Sequence, residues 1–141
     1  MNWQRDDYVL TDDRERVDVD VVCALLHATY WADQRPRTLI EKSIRNSLCF
    51  ALLHAGRQVG FARAVTDGAT FAWICDVIIA PTHRGHGLGK WMMECIVAHP
   101  ELQNGTQLLR TRDAHTLYER FGFQRAECLR RGGVDLCPRP D

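Results

Sequence analysis

The sequence predicts an α/β (α+β) fold: a mixed, mostly antiparallel sheet of six to seven strands with helices on both faces. Three observations carry this expectation. Residues 48 to 79 hold three apolar runs separated by two tight turns, and turns that short connect only antiparallel neighbours. Residues 71 to 109 read strand, helix, strand, a unit that adds a parallel partner to the sheet. A chain of 141 residues, 45% apolar and 26% charged, is long enough for a single domain, 1–141, to bury a core without staples.

In chain order, a short strand is expected before the charged segment TDDRERVDVD. A helix follows in VDVVCALLHATYW, where Val19, Val22, Leu25, Leu26 and Thr29 share one face and Asp18 can cap the start. ADQRPR breaks it, because the residue before a proline avoids helical angles and Pro36 has no amide to donate. Thr38 and Glu41 stand at capping-box spacing, which predicts a second helix over roughly 38 to 47. LCFALLHA, QVGFARAVT and FAWICDVIIA are the meander strands. Alternation puts Phe71, Trp73, Cys75, Val77 and Ile79 on one face of the third and Ala72, Ile74, Asp76 and Ile78 on the other. Apart from Asp76 that strand is apolar on both sides, so it belongs in the centre. Leu88, Trp91, Met92, Cys95, Ile96 and His99 keep helical spacing up to Pro100, so the third helix begins among the glycines of THRGHGLGK. QLLRT is strand-like. DAHTLYERFGF reads as a last helix, capped by Asp113 and ended by Gly122, and residues 123 to 129 and 134 to 137 read as closing strands.

Charge and composition exclude several roles. Eighteen basic residues balance eighteen acidic ones, which removes the net positive field on which nucleic-acid binding relies. The six cysteines show no C-x-x-C spacing, so no metal site is expected, and they read as core filler in a reducing compartment. No apolar stretch reaches membrane-spanning length and MNWQRDD is no signal peptide, so a cytoplasmic place with no membrane partner is expected.

THRGHGLGK is the stretch that suggests chemistry. It is no P-loop, since only three residues separate Gly85 from Gly89 and Trp91 follows Lys90. It is no dinucleotide fingerprint, since Lys90 stands where the third glycine belongs. The physical logic of both still applies: bare backbone at a helix start presents unpaired amides and the positive end of the helix dipole to an anion. The glycines alone leave a phosphate seat and a simple packing turn equally open.

VIIAPTHRGHGLGKWMM resembles the acyl-CoA-binding motif of the GNAT superfamily of N-acetyltransferases, Q/R-x-x-G-x-G/A, here at Arg84, Gly87 and Gly89. AHTLYERFGF resembles that superfamily's A-x-x-L-Y-x-x-x-G-F signature at Ala114, Leu117, Tyr118, Gly122 and Phe123. The resemblance implies splayed central strands and an acetyl-CoA donor. The donor's pyrophosphate would rest on Arg84, Gly85, His86, Gly87, Leu88 and Gly89, with Lys90 adding charge, and its pantetheine arm would pair with Val77, Ile78 and Ile79. Thr111 takes the place where many members carry an asparagine that contacts the arm. It further implies an N-acetyltransferase in which a primary amine attacks the thioester directly, an amide near Ile78 or Ile79 serves the oxyanion, and Tyr118 assists the departing sulfur.

Asp76 is a candidate general base, or else the partner of Arg63 in a structural bridge. His54, His83 and His115 are weaker candidates. By the same resemblance the acceptor pocket would draw on Tyr30, Trp31, Trp73 and Asp76, and homodimers are frequent in the superfamily. Two further readings stand beside this one: transfer of another acyl group or to an O-acceptor, and a non-catalytic acyl-CoA-binding module.

Overall fold

A computed structural model of the chain describes residues 1–112 and 114–133. Among these residues six strands lie side by side in chain order: β1 (Asn2–Arg5), β2 (Tyr8–Thr11), β3 (Leu48–His54), β4 (Arg57–Thr66), β5 (Phe71–Ile79) and β6 (Thr106–Leu109). Every pairing is antiparallel except β5 with β6, which is parallel, as expected of a meander feeding a strand-helix-strand unit. The opening strand is in fact a hairpin. It turns at Asp6, whose left-handed φ of 51° suits a short polar side chain.

Among the described residues four α-helices cover the sheet: α1 (Val19–His27), α2 (Arg37–Arg45), α3 (Leu88–Val97) and α4 (His115–Glu119). Asp18 caps α1 as its spacing predicts, accepting from the amides of Asp20 and Val21. The capping box expected for α2 does not form. Pro36, with φ −65°, already sets the helix entry, so Thr38 lies inside the first turn, and Arg37 instead pairs with Glu41 at 2.8 Å and Asp20 at 2.6 Å. No helix among the described residues is long and apolar enough to cross a membrane.

The core has two layers. On one face, Leu88, Met92 and Ile96 of α3 pack on Phe50, Ala62 and Ile74 of the sheet. On the other, Val22 and Leu26 of α1 and Ile40 and Ile44 of α2 pack on Phe61 and Ile78. Ile74 and Ile78, which simple alternation places on one face, therefore lie on opposite faces. The cause is a bulge. The β4–β5 register pairs Arg63 with Cys75 but Phe61 with Ile78, so Asp76 and Val77 together oppose Ala62. The expected faces of β5 hold up to Cys75 and reverse after Asp76, so Val77 and Ile79 join the α3 layer.

Two features shape the site. Pairing between β5 and β6 runs only from Phe71↔Thr106 to Ile74↔Leu109, so the second half of β5 has an open edge. His99, buried just past α3, ties the N-terminal hairpin down. Its Nδ1 accepts from the Glu101 amide, so Nε2 carries the proton and donates to Asp12 at 2.8 Å. Residues 123 to 129 are irregular rather than the closing strand expected, whereas the strand read at 134 to 137 and the cap read at Asp113 fall outside the described residues.

Candidate functional site

The open edge of β5 runs into the start of α3, and a cleft of ≈ 440 Å³ forms where they meet. Its floor is Val77, Ile78 and Ile79, one wall is Arg84, Gly85, Gly87, Leu88 and Gly89, and the other is Thr29, Tyr30 and Trp31 from the loop after α1. Ala80 donates its amide to Val59 of β4 at 2.8 Å. Amides alternate along a strand, so those of Val77 and Ile79 point the other way, toward the open edge.

The glycine wall is bare. Gly85 and Gly87 adopt positive φ (84° and 73°), and a Cβ on Gly85 or Gly89 would meet nothing within 4 Å. Gly87 is the N-cap of α3 and supplies no side-chain hydrogen bond to the first turn. Arg84 folds back, donating Nε to the Ile79 carbonyl at 2.9 Å, which joins the loop to the end of β5. His86 and Lys90 are exposed and line no part of this cleft. The geometry is that of an anion seat continuous with an unpaired strand edge, and an extended ligand with a phosphorylated end matches both parts.

Trp73, Thr111 and Tyr118 gather elsewhere, around a second cavity of ≈ 1030 Å³ between β6, α4 and residues 121–130. The two cavities share no lining residue. Thr111 accepts from the Ala114 amide at 2.9 Å, so its hydroxyl starts α4. Tyr118 is half-buried with its ring edge-on to Phe123. Asp76 is buried, its side chain 2% exposed, and it accepts from Arg63 as the sequence suggested, and also from Arg35 and Trp31.

Several residues at the site were not foreseen. Arg5, on the N-terminal hairpin, donates to the Gly87 carbonyl at 3.1 Å. Arg112, after β6, lies 3.9 Å over the Tyr30 ring, a cation–π contact that bridges the loop after α1 to the loop before α4. His83, one of the weaker base candidates, does line the first cleft, and only its hydrogen bond to Tyr8 at 2.7 Å was unforeseen. Each contact joins residues far apart in sequence, and no local pattern announces it. Arg35 did leave a signal: a lone carboxylate on an apolar strand needs cationic partners.

Three of the cysteines are held as unreactive thiols by burial. Burial pushes the Cys49 and Cys95 thiols up to about 11 and that of Cys75 up to about 12, so they stay protonated at neutral pH. In the native protein at pH 7.5, about one pH unit below an ordinary thiol pKa, iodoacetamide should label exposed Cys128 and spare Cys49, Cys75 and Cys95 by peptide mass mapping.

Comparison with known proteins follows the same lines. Residues 45–125 match the acetyltransferase (GNAT) domain model. The Gibberella zeae protein named "Putative acetyltransferase FG08082" is 31% identical over 147 aligned positions, covering 87% of this chain and 82% of that one. A GNAT-family crystal structure from Xanthomonas campestris pv. campestris is 37% identical with a TM-score of 0.86, covering 94% of this chain and 97% of its own. N-acetylglutamate synthase from Neisseria gonorrhoeae, solved with coenzyme A and N-acetyl-glutamate, shares the fold (TM-score 0.71) at 18% identity over 88% of this chain and 30% of that one.

Proposed function

Because the chain belongs to the GNAT acetyltransferase family, which uses acetyl-CoA, we propose that it is an N-acetyltransferase transferring the acetyl group to a primary amine by direct attack. The observation that carries this reading is the continuity of the open β5 edge at Val77–Ile79 with the bare start of α3. The first-turn amides of α3 and the backbone of Gly85 to Gly89 would hold the donor's pyrophosphate, Arg5, Arg84 and Lys90 would add positive charge around it, and His86 would add a ring hydrogen bond. Val77 and Ile79 would pair with the pantetheine arm as a missing strand does.

Acetyl-CoA supplies an activated acyl group, and the protein's part is placement and charge stabilisation. The amine must arrive neutral; its lone pair forms the N–C bond, and the carbonyl oxygen becomes an oxyanion. The alternation of β5 amides favours Ile79 over Ile78 as its donor. The C–S bond then breaks and the sulfur leaves with the electron pair, while the amine nitrogen loses its extra proton to solvent. A phenol near pKa 10 cannot fully protonate a thiolate near 8.5 without a cost of ~2 kcal/mol. Tyr118 would therefore act as a hydrogen-bond donor to the developing thiolate rather than as a full acid. Tyr30 and Trp31, on the wall of the first cleft, would face the acceptor, whereas Trp73 lies on the second cavity.

Incubation with acetyl-CoA and a panel of amines, followed by free thiol release, tests the reading. Turnover is expected on at least one amine, with Tyr118→Phe lowering kcat about 10-fold, the worth of one hydrogen bond of about 1.4 kcal/mol, at unchanged KM. Donor binding without turnover on any amine would leave a non-catalytic acyl-CoA-binding module. Faster release from a longer acyl-CoA, or turnover on hydroxyl acceptors alone, would make it a different acyltransferase.

A further inference from the structure

Three unusual properties coincide at Asp76. It is the bulge residue of β5, its backbone is left-handed with φ 54°, and its carboxylate is buried. A strand residue with a side chain keeps such a backbone only where its surroundings over-determine it. Here the surroundings are three donors. Arg35 Nη1 at 2.9 Å and Arg63 Nε at 2.7 Å both reach Oδ2, and the Trp31 indole N–H reaches Oδ1 at 3.1 Å. Arg63 belongs to adjacent β4. Trp31 and Arg35 both belong to the loop between α1 and α2, and Trp31 is at the same time part of the wall of the first cleft.

We propose that Asp76 is a positioning residue that clamps the α1–α2 loop onto the β5 bulge, setting the acceptor wall of the cleft against the amides of Val77 and Ile79. Both carboxylate oxygens are engaged, one of them by two guanidiniums, so the group is committed to holding cations rather than to receiving the amine's proton. Burial works against the Arg63 charge, yet its pKa is raised, with Cys75 and the Asp76 side chain beside it, so the guanidinium stays charged. Aspartate suits the place twice over: its short side chain tolerates the left-handed backbone, and its charge balances the two half-buried arginines. The clamp rests on acyl transfer only in calling that wall the acceptor's.

Amide hydrogen exchange across residues 29–36, measured on the protein alone, tests the clamp without reference to turnover. Arg35→Gln removes the loop's half while leaving Arg63 on Asp76, and at a site 19% exposed it is not expected to unfold the chain. Exchange across the loop should rise at least about 10-fold. Asp76→Gly, which accepts the bulge backbone but lacks the carboxylate, should loosen the same segment. With an amine that turns over, Arg35→Gln should raise acceptor KM about 10-fold, leave acetyl-CoA affinity within about 2-fold, and keep the shape of the pH profile of kcat/KM. Unchanged exchange in Arg35→Gln overturns the proposal. So does an Asp76→Asn protein that keeps its loop protected but loses the ascending limb of the pH profile, since Asp76 would then be the base. If the wild type acetylates no amine, the acyl-transfer reading fails while the exchange result still decides the clamp.

Discussion

Gly89→Ala is expected to leave the protein as stable as before, or slightly more so, and to weaken acetyl-CoA binding about 100-fold. The two halves of this result have separate causes. Gly89 lies in the first turn of α3 without a positive φ, and a Cβ there would meet nothing within 4 Å. Alanine is therefore unstrained, and replacing glycine in a helix can gain up to about 0.5–1 kcal/mol. The same methyl group occupies the space through which an anion approaches the first-turn amides. A hydrogen bond to an amide requires about 2.9 Å, and a displacement of about 1 Å from a productive pose can cost about 100-fold. Gly87→Ala makes the contrast. At φ 73° its backbone disfavours any side chain, by about 1–2 kcal/mol, and the new Cβ would lie 3.5 Å from the Arg5 guanidinium. That variant should lose stability and binding together. Calorimetric titration with acetyl-CoA beside a thermal melt separates the cases, and an unchanged affinity in Gly89→Ala would mean that the phosphates do not rest on these amides.

What could be read from the sequence was what local pattern determines. The meander was legible because its turns are too short for any other connection, and the start of α3 because helical spacing reaches back into the glycines. The bulge was not. A strand's alternation predicts faces only while no residue is inserted, and a single extra residue at Asp76 reverses everything after it. The one trace it left was an acid inside an apolar strand. Thr38 and Glu41 showed a genuine capping pattern, but Pro36 fixed the helix entry first, and Arg37 recruited Glu41. The sequence motifs marked the glycine loop and α4 but could not say how they meet; the geometry seats the loop on the first cleft and Tyr118 on a second cavity. Arg5 at Gly87 and Arg112 over Tyr30 each join segments more than eighty residues apart, beyond the reach of any periodicity.

Phe61→Ala should cause a large loss of stability, about 3–5 kcal/mol, because it removes a fully buried ring and leaves a cavity that the sheet cannot close. Against the 5–15 kcal/mol typical of a domain, a loss of about that size should lower Tm by roughly 10–20 °C. Phe61→Leu, which keeps most of the volume, should cost only about 1 kcal/mol. Val65→Ala, on the same strand but 41% exposed, should stay within about 0.5 kcal/mol. The position matters as much as the volume. Phe61 pairs with Ile78 beside the bulge and lies in the layer of α1 and α2, which bears the loop with Trp31 and Arg35. The glycine seat belongs to α3, which packs on the opposite face of the sheet. Below its lowered Tm, Phe61→Ala should therefore loosen the acceptor wall while still binding acetyl-CoA, visible as faster amide exchange in residues 29–36 at nearly unchanged donor affinity. If donor affinity fell in step with stability, the two faces of the sheet would have to act as one cooperative unit, and the division of donor and acceptor between them would not hold.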